Sequence, residues 1–148
     1  MTEPRPSVLI VDDHAAHAEA LADALEALHV TTDIATGGKE ALDKLAATPR
    51  DLVITDLMMN DLDGMELLRE AKGRNPDVEV ILVTGYATVE NAVAAMQQGA
   101  ATYLRKPVNL DELRAVVRGV LEKQALRRTN LELRRELDQR YGFEGIIG

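Results

Sequence analysis

The sequence predicts an α/β fold, a doubly wound five-stranded parallel sheet followed by a long C-terminal helix, and three observations carry the prediction. Five short apolar runs alternate with five stretches of helical periodicity. Four of the runs are continuous, as expected of strands covered by helices on both faces, while one alternates in the manner of an edge strand. From Leu110 onward there is no Gly or Pro except Gly119 until Gly142, so the last helix has nothing to stop it.

The first run is Val8-Leu9-Ile10-Val11, and Ala18, Leu21, Ala22, Leu25 and Leu28 follow it at helical spacings of three and four. The second, Val30 to Ala35, is the alternating one and leads to Ala41, Leu42 and Leu45. Leu52-Val53-Ile54-Thr55 precedes the helical set Leu67, Leu68 and Ala71, and Val80-Ile81-Leu82-Val83 precedes Val89, Ala92, Val93 and Met96. The fifth run, Ala101-Thr102-Tyr103-Leu104, passes through Lys106-Pro107 to Asn109, the expected cap of the last helix, with Asp111 and Glu112 favourable in its first turn. Strict alternation of strand and helix implies parallel strands joined by right-handed crossovers.

The last helix has two characters. Over roughly 30 residues it extends about 45 Å. Leu113, Val116, Val117, Val120 and Leu121 form a broad stripe suited to a sheet, whereas Leu126, Asn130, Leu133 and Leu137 form a narrow seam suited to another helix. The seam is read either as a parallel two-stranded coiled coil with Asn130 setting register, or as a solvated helix laced by Glu132-Arg135 and Glu136-Arg140. Arg127-Arg128 and Arg134-Arg135 are interleaved with acids and read as a solvated face, not as a nucleic-acid patch.

The 148 residues, 46% hydrophobic and 28% charged, suffice for one buried core. No cysteine is present, which removes disulfide, zinc-thiolate and thiol-nucleophile chemistry. The opening MTEPRPS lacks an apolar signal core and no run reaches the length of a membrane span, so a cytoplasmic protein with no membrane partner is expected. The net charge of −8 is uneven: residues 1–110 carry 9 basic and 18 acidic side chains, and 111–148 carry 8 and 7. An acidic body repels phosphate backbones, so direct nucleic-acid binding is not expected.

The chemistry sits at strand ends. Asp12-Asp13, Asp56, Thr84 and Lys106-Pro107 follow or close the first, third, fourth and fifth runs, and all such ends open onto one edge of a parallel sheet. Singly these are a helix cap, a turn threonine and a loop; together they are three carboxylates, a hydroxyl and an ammonium. Crowded carboxylates raise one another's pKa unless a cation lies among them, and oxygen donors favour Mg²⁺, with Mn²⁺ possible, over zinc. With that charge offset, Asp56 is an ionised carboxylate able to attack phosphorus and form an acyl phosphate. Lys106 and the cation oppose charge on the transferring group, and the Thr84 hydroxyl bonds the product. His14 and His17, three apart, lack an evident third ligand and are read as exposed histidines of the first helix.

The runs VLIVDDH, LVITDLMMNDLDG, ILVTGYA and YLRKPV resemble the receiver domains of two-component response regulators over roughly residues 7–122. The resemblance implies the flavodoxin-like strand order 2-1-3-4-5 and a sensor histidine kinase as partner. It implies Asp56 as phosphoacceptor, Mg²⁺ held by Asp12, Asp13, Asp56 and the Met58 carbonyl, and Thr84 with Tyr103 as a switch pair. Lys106 is the phosphate-binding lysine by the same resemblance, before a typically cis bond to Pro107. Such a domain is not an enzyme beyond its own phosphorylation and autodephosphorylation. His14 stands where Glu or Asp is frequent in the family, and Asn60 where Pro is common. Met58 and Tyr86, two beyond Asp56 and Thr84, are bulky and imply slow autodephosphorylation.

The tail YGFEGIIG, Tyr141 to Gly148, resembles the opening of the ATPase module in NtrC-like activators of the alternative sigma factor. The expected organisation is a receiver at 1–122, a helical linker at 123–141 and the start of an ATPase module at 142–148. A homodimer through the fourth helix, fifth strand and fifth helix, the linker, or both would pass the phosphorylation state to that module. Gly37-Gly38-Lys39 lacks the spacing of a Walker motif. Two rivals remain: a haloacid-dehalogenase-like phosphatase, suggested by Asp61-Leu62-Asp63-Gly64, and a phosphorylation-independent dimerisation or interaction module.

Overall fold

The computed structural model describes residues 5–85 and 88–141. Its elements alternate: β1 (Ser7–Val11), α1 (Ala15–Leu25) with a 3-10 turn at Glu26–Leu28, β2 (Thr31–Ala35), α2 (Gly38–Ala47), β3 (Leu52–Asp56), α3 (Gly64–Arg74), β4 (Glu79–Thr84), α4 (Val89–Gln97), β5 (Thr102–Arg105) and α5 (Leu110–Tyr141). All strand pairs are parallel and the sheet order is β2-β1-β3-β4-β5. The pleat sorts the strands' side chains into two cores. Val8, Ile10, Ile54 and Ile81 meet α1 and the start of α5, while Leu9, Val11, Val53 and Leu82 meet α2, α3 and α4.

The central strands β1, β3 and β4 are buried on both faces, which is why they read as unbroken apolar runs. The alternating run became edge strand β2. The fifth run departs from the covered-strand expectation: Leu104 is buried, but Thr102 and Tyr103 are half-buried and Arg105 is exposed. The strand order places β5 on the sheet's other edge, where one flank lacks a neighbouring strand.

The last helix is a single element of 32 residues. Asn109 caps it, its side-chain oxygen accepting the Glu112 N–H at 3.0 Å. Leu113 and Val117 are fully buried against the sheet, each contributing about 1.5–3 kcal/mol of apolar burial. Leu126, Leu133 and Leu137 are more than half exposed, at 69%, 52% and 52%. Asn130 is also exposed, so the seam stands free of this protomer.

Between stripe and seam lies a polar clasp. Gln124 is only 4% exposed. Its amide donates to the carbonyls of Asp51, before β3, and Asp77, before β4, both at 2.8 Å. Arg127 reaches Glu79 at 2.8 Å and Arg128 reaches Asp51 at 3.0 Å. These two arginines are therefore tied to the amino-terminal edge of the sheet and are not the purely solvated pair the interleaved charges suggest. Replacing Gln124 with Leu removes both amide bonds and sets an apolar side chain against the Asp51 and Asp77 carbonyls. The expected loss is about 1–2 kcal/mol in urea unfolding, with faster amide exchange from residue 124 onward.

Candidate functional site at the carboxyl edge of the sheet

Parallel register brings the remote strand ends side by side. Val11 pairs with Thr55, Asp56 with Val83, and Thr84 with Arg105, so Asp12, Asp56, Thr84 and Lys106 lie at adjacent positions on one edge. The backbone there is closed by hydrogen bonds: Asp12 N–H to the Ala35 carbonyl at 3.1 Å, Leu57 N–H to Val83 at 2.9 Å and Lys106 N–H to Thr84 at 2.9 Å. The Lys106-Pro107 peptide is cis.

The side chains converge. Lys106, fifty residues from Asp56 in sequence, donates from Nζ to its Oδ2 at 2.7 Å and lies 4.0 Å from Asp12 Oδ2. Asp56 Oδ1 accepts the Met58 N–H at 3.3 Å. Asp12 is buried, and its Oδ1 accepts the His14 N–H at 2.9 Å while its Oδ2 contacts the His17 ring. Burial pushes the Asp12 carboxyl up, but the His14 N–H, the His17 ring and the Lys106 ammonium outweigh it and hold the group below the ordinary carboxylate range. Asp13 is half-buried and faces His14, whose Nδ1 is 3.1 Å from its Oδ1.

Thr84 is buried and Tyr103 half-buried; both line a small cavity with Leu57, Leu82, Asn91 and Ala95. Met58 is 62% exposed at the rim. Tyr86 lies outside the described residues. The donor set fits a hard divalent cation: Asp12 and Asp56 are buried carboxylates, and Lys106 is the only ammonium near them among the described ion pairs.

Three features were not read from the residues alone. His17 is not a free surface histidine, since its ring meets Asp12; His14 remains 79% exposed. Asp61 and Asp63 are caps. Asp61 accepts the N–H groups of Gly38 and Lys39 at 2.9 and 3.1 Å, which hold its carboxyl below the ordinary range, and Asp63 accepts the Glu66 N–H at 2.9 Å. Both acids of the D-x-D-G segment thus serve helix starts, and the Gly38 and Lys39 amides that a phosphate loop would use are occupied by Asp61. Gly64 is the third, pressed against the Asp56-Leu57 backbone.

The chain matches the response regulator receiver domain family over residues 8–118. It is 36% identical over 121 residues to the transcriptional regulatory protein ZraR of Escherichia coli (strain K12), which covers 82% of this chain and 27% of the relative. Among solved structures it resembles a CheY-like response regulator receiver domain protein from Methanospirillum hungatei JF-1, with a TM-score of 0.79, 33% identity and coverage of 83% of this chain and 98% of the other. It also resembles NtrX from Brucella abortus in complex with ADP, with a TM-score of 0.81, 30% identity and coverage of 87% and 30%. The chain thus spans 27% of the curated relative and 30% of the NtrX chain.

Proposed function

The chain belongs to the response regulator receiver domain family, and from that premise we propose that it is the phosphorylation-controlled switch of a longer, NtrC-like activator, with Asp56 as the acceptor. The observation that carries the proposal is the 2.7 Å contact of Lys106 with Asp56 at the end of a fully buried strand. No folding argument favours burying an acid cluster around one ammonium, whereas a transferring phosphoryl group needs that charge pattern.

An Asp56 carboxylate oxygen attacks the phosphorus of a phosphohistidine on the sensor kinase. The phosphorus–nitrogen bond breaks, the imidazole leaves with the electron pair, and an acyl phosphate stands on Asp56. Lys106 opposes the charge on the equatorial oxygens. Asp12, Asp13, Asp56 and the Met58 carbonyl would hold a Mg²⁺ ion, which would supply the remaining neutralisation. Thr84 then turns its hydroxyl to the phosphoryl group, and Tyr103 moves into the volume beside it. A cleft of about 650 Å³ flanked by His17, Leu21, Lys106 and Val108 gives the donor's apolar side chains a seat next to Asp56.

The switch is read on the surface of α4, β5 and α5, where Val93 and Met96 are about half exposed at 49% and 50%. Its output is the geometry of two protomers whose seams pair through Leu126, Leu133 and Leu137. On this reading residues 1–122 are the receiver, 123–141 the linker and 142–148 the start of the ATPase module; 142–148 lie outside the described residues. The NtrX structure, solved with ADP, supports a nucleotide-using module further along such a chain. Among the described residues no helix is long and apolar enough to cross a membrane.

The test is incubation of the intact chain with Mg²⁺ and acetyl phosphate, then with beryllofluoride. The peptide containing Asp56 is expected to gain one phosphoryl mass, and beryllofluoride to change the sedimentation behaviour. Asp56→Asn is expected to abolish both. Unchanged mass in the wild type, or labelling that persists in Asp56→Asn, would instead favour a phosphorylation-independent interaction module.

A further inference from the structure

The acid pocket contains a nitrogen donor that the all-oxygen metal set leaves unused. His14 Nδ1 is 3.1 Å from Asp13 Oδ1 and 3.6 Å from Asp12 Oδ1. One donor atom from each of Asp12, Asp13 and His14 falls within 4.8 Å of the others, a grouping able to hold a metal ion. Donors about 3 Å apart form the edge of an octahedron whose bonds are about 2.1 Å. The partner ligands that His14 lacks in the sequence are therefore the two carboxylates at the strand end.

Resting on the reading of Asp12 and Asp13 as cation ligands, we propose that His14 is a direct nitrogen ligand of that cation, so the pocket takes an imidazole-seeking first-row ion, exemplified by Co²⁺ or Ni²⁺, more tightly than Mg²⁺. Two features of this chain argue for it. First, the His14 backbone N–H donates to Asp12 Oδ1 at 2.9 Å and holds the residue against the acid pair, with ring Nδ1 3.1 Å from Asp13 Oδ1, and the ring remains 79% exposed, so little desolvation opposes ligation. Second, the other pocket histidine does not compete for the role. The His17 ring is engaged with Asp12 Oδ2, on the far oxygen of the same carboxylate, and acts as a support that orients the ligand.

Ion chemistry fixes the direction of the preference. Mg²⁺ demands oxygen ligands and keeps its waters, so a nitrogen within reach adds nothing to its binding. Imidazole suits nickel, copper and zinc, and affinity at a mixed nitrogen and oxygen site rises along the first row from manganese to copper. A Glu or Asp at position 14 would leave the pocket wholly hard; His14 makes it a borderline site with the same two carboxylates.

The experiment is calorimetric titration of the untagged intact chain with Mg²⁺ and with Co²⁺, in wild type, His14→Asn, His17→Asn and His29→Asn. It is paired with pulsed electron paramagnetic resonance of the Mn²⁺-loaded protein to detect coupling to ligand nitrogen. Co²⁺ is expected to bind at least about tenfold more tightly than Mg²⁺. His14→Asn should weaken Co²⁺ by about tenfold or more, remove the nitrogen coupling and leave Mg²⁺ within about twofold, while His29→Asn changes nothing. Equal Co²⁺ affinity in wild type and His14→Asn, or nitrogen coupling that survives it and disappears in His17→Asn, would overturn the proposal. If that happens while Mg²⁺ still supports phosphorylation of Asp56, only the His14 ligation falls. If neither ion binds and Asp56 is not labelled, the cation reading of Asp12 and Asp13 falls with it.

Discussion

Replacing Gly64 with Ala is expected to destabilise the protein by about 2 kcal/mol and to slow phosphoryl uptake at Asp56 about a hundredfold. Gly64 opens α3, and its N–H donates to the Leu57 carbonyl at 2.8 Å, drawing the helix start onto the end of β3. A Cβ there would lie 2.6 Å from the Asp56 carbonyl oxygen and 2.8 Å from the Leu57 Cα. Both are backbone atoms, so no side chain can swing aside; either α3 or the Asp56-Leu57 peptide must shift. Leu57 N–H is bonded to Val83 and Asp56 Oδ2 to Lys106, so a shift at this peptide reaches both the strand pairing and the carboxylate. The better helix propensity of alanine, about 1 kcal/mol, works in the opposite direction and is outweighed. Gly119→Ala in α5 is the control: nothing lies within 4 Å of its Cβ, and a gain of about 0.5–1 kcal/mol is expected. Urea unfolding reads the first effect and acetyl phosphate labelling the second. A Gly64→Ala protein that labels at the wild-type rate would show that this close packing does not position Asp56.

The parts of this molecule legible in its sequence are those governed by burial on both sides of a sheet. β1, β3 and β4 could only be continuous apolar runs, and where such a run ends the chain must leave the sheet at the same edge each time, which places Asp12, Asp56 and Thr84 together. The capping of α5 by Asn109 follows from local rules, whereas the strand order comes only from the family resemblance. What was not legible depends on angles between elements. Helical periodicity identifies the stripe of Leu113 and Val117 but not the turn at which α5 passes the sheet's lower edge, so nothing singles out Gln124, and Arg127 and Arg128 read as a solvated face; the three instead form a clasp. His17 meets Asp12 only because α1 starts directly over the end of β1. Asp61 caps a helix 23 residues back in the chain, a relation that no local pattern carries, although Asp63 with Glu66 three residues later has the spacing of a capping box.

Lys106→Met should remove the charge while keeping the aliphatic stem, and its consequences should depend on divalent ion. Asp56 and Asp12 have side chains only 7% and 3% exposed, with the ammonium 2.7 Å from one and 4.0 Å from the other. Without it, Asp56 has no cationic partner among the described ion pairs and Asp12 keeps only its histidine contacts. Breaking such a pair costs about 3–5 kcal/mol when fully buried; since Lys106 is 28% exposed and partly screened, about 2 kcal/mol is the expected loss in EDTA. Millimolar Mg²⁺ should restore most of it, because a cation among the carboxylates replaces the missing charge and stabilises the folded state by mass action. Phosphorylation should not be restored. The group opposing charge on the transferring phosphoryl oxygens is absent, and loss of one such donor slows transfer by about 10²–10³-fold. The two readouts separate two roles of one side chain: a counter-ion that magnesium can replace, and a phosphate contact that it cannot. Lys72→Met, whose ammonium is 3.8 Å from Glu79 at the opposite edge of the sheet, should show neither the magnesium dependence nor the loss of labelling. If Lys106→Met is labelled normally, the ammonium serves only to hold the acids together and the phosphate contact must lie elsewhere in the pocket.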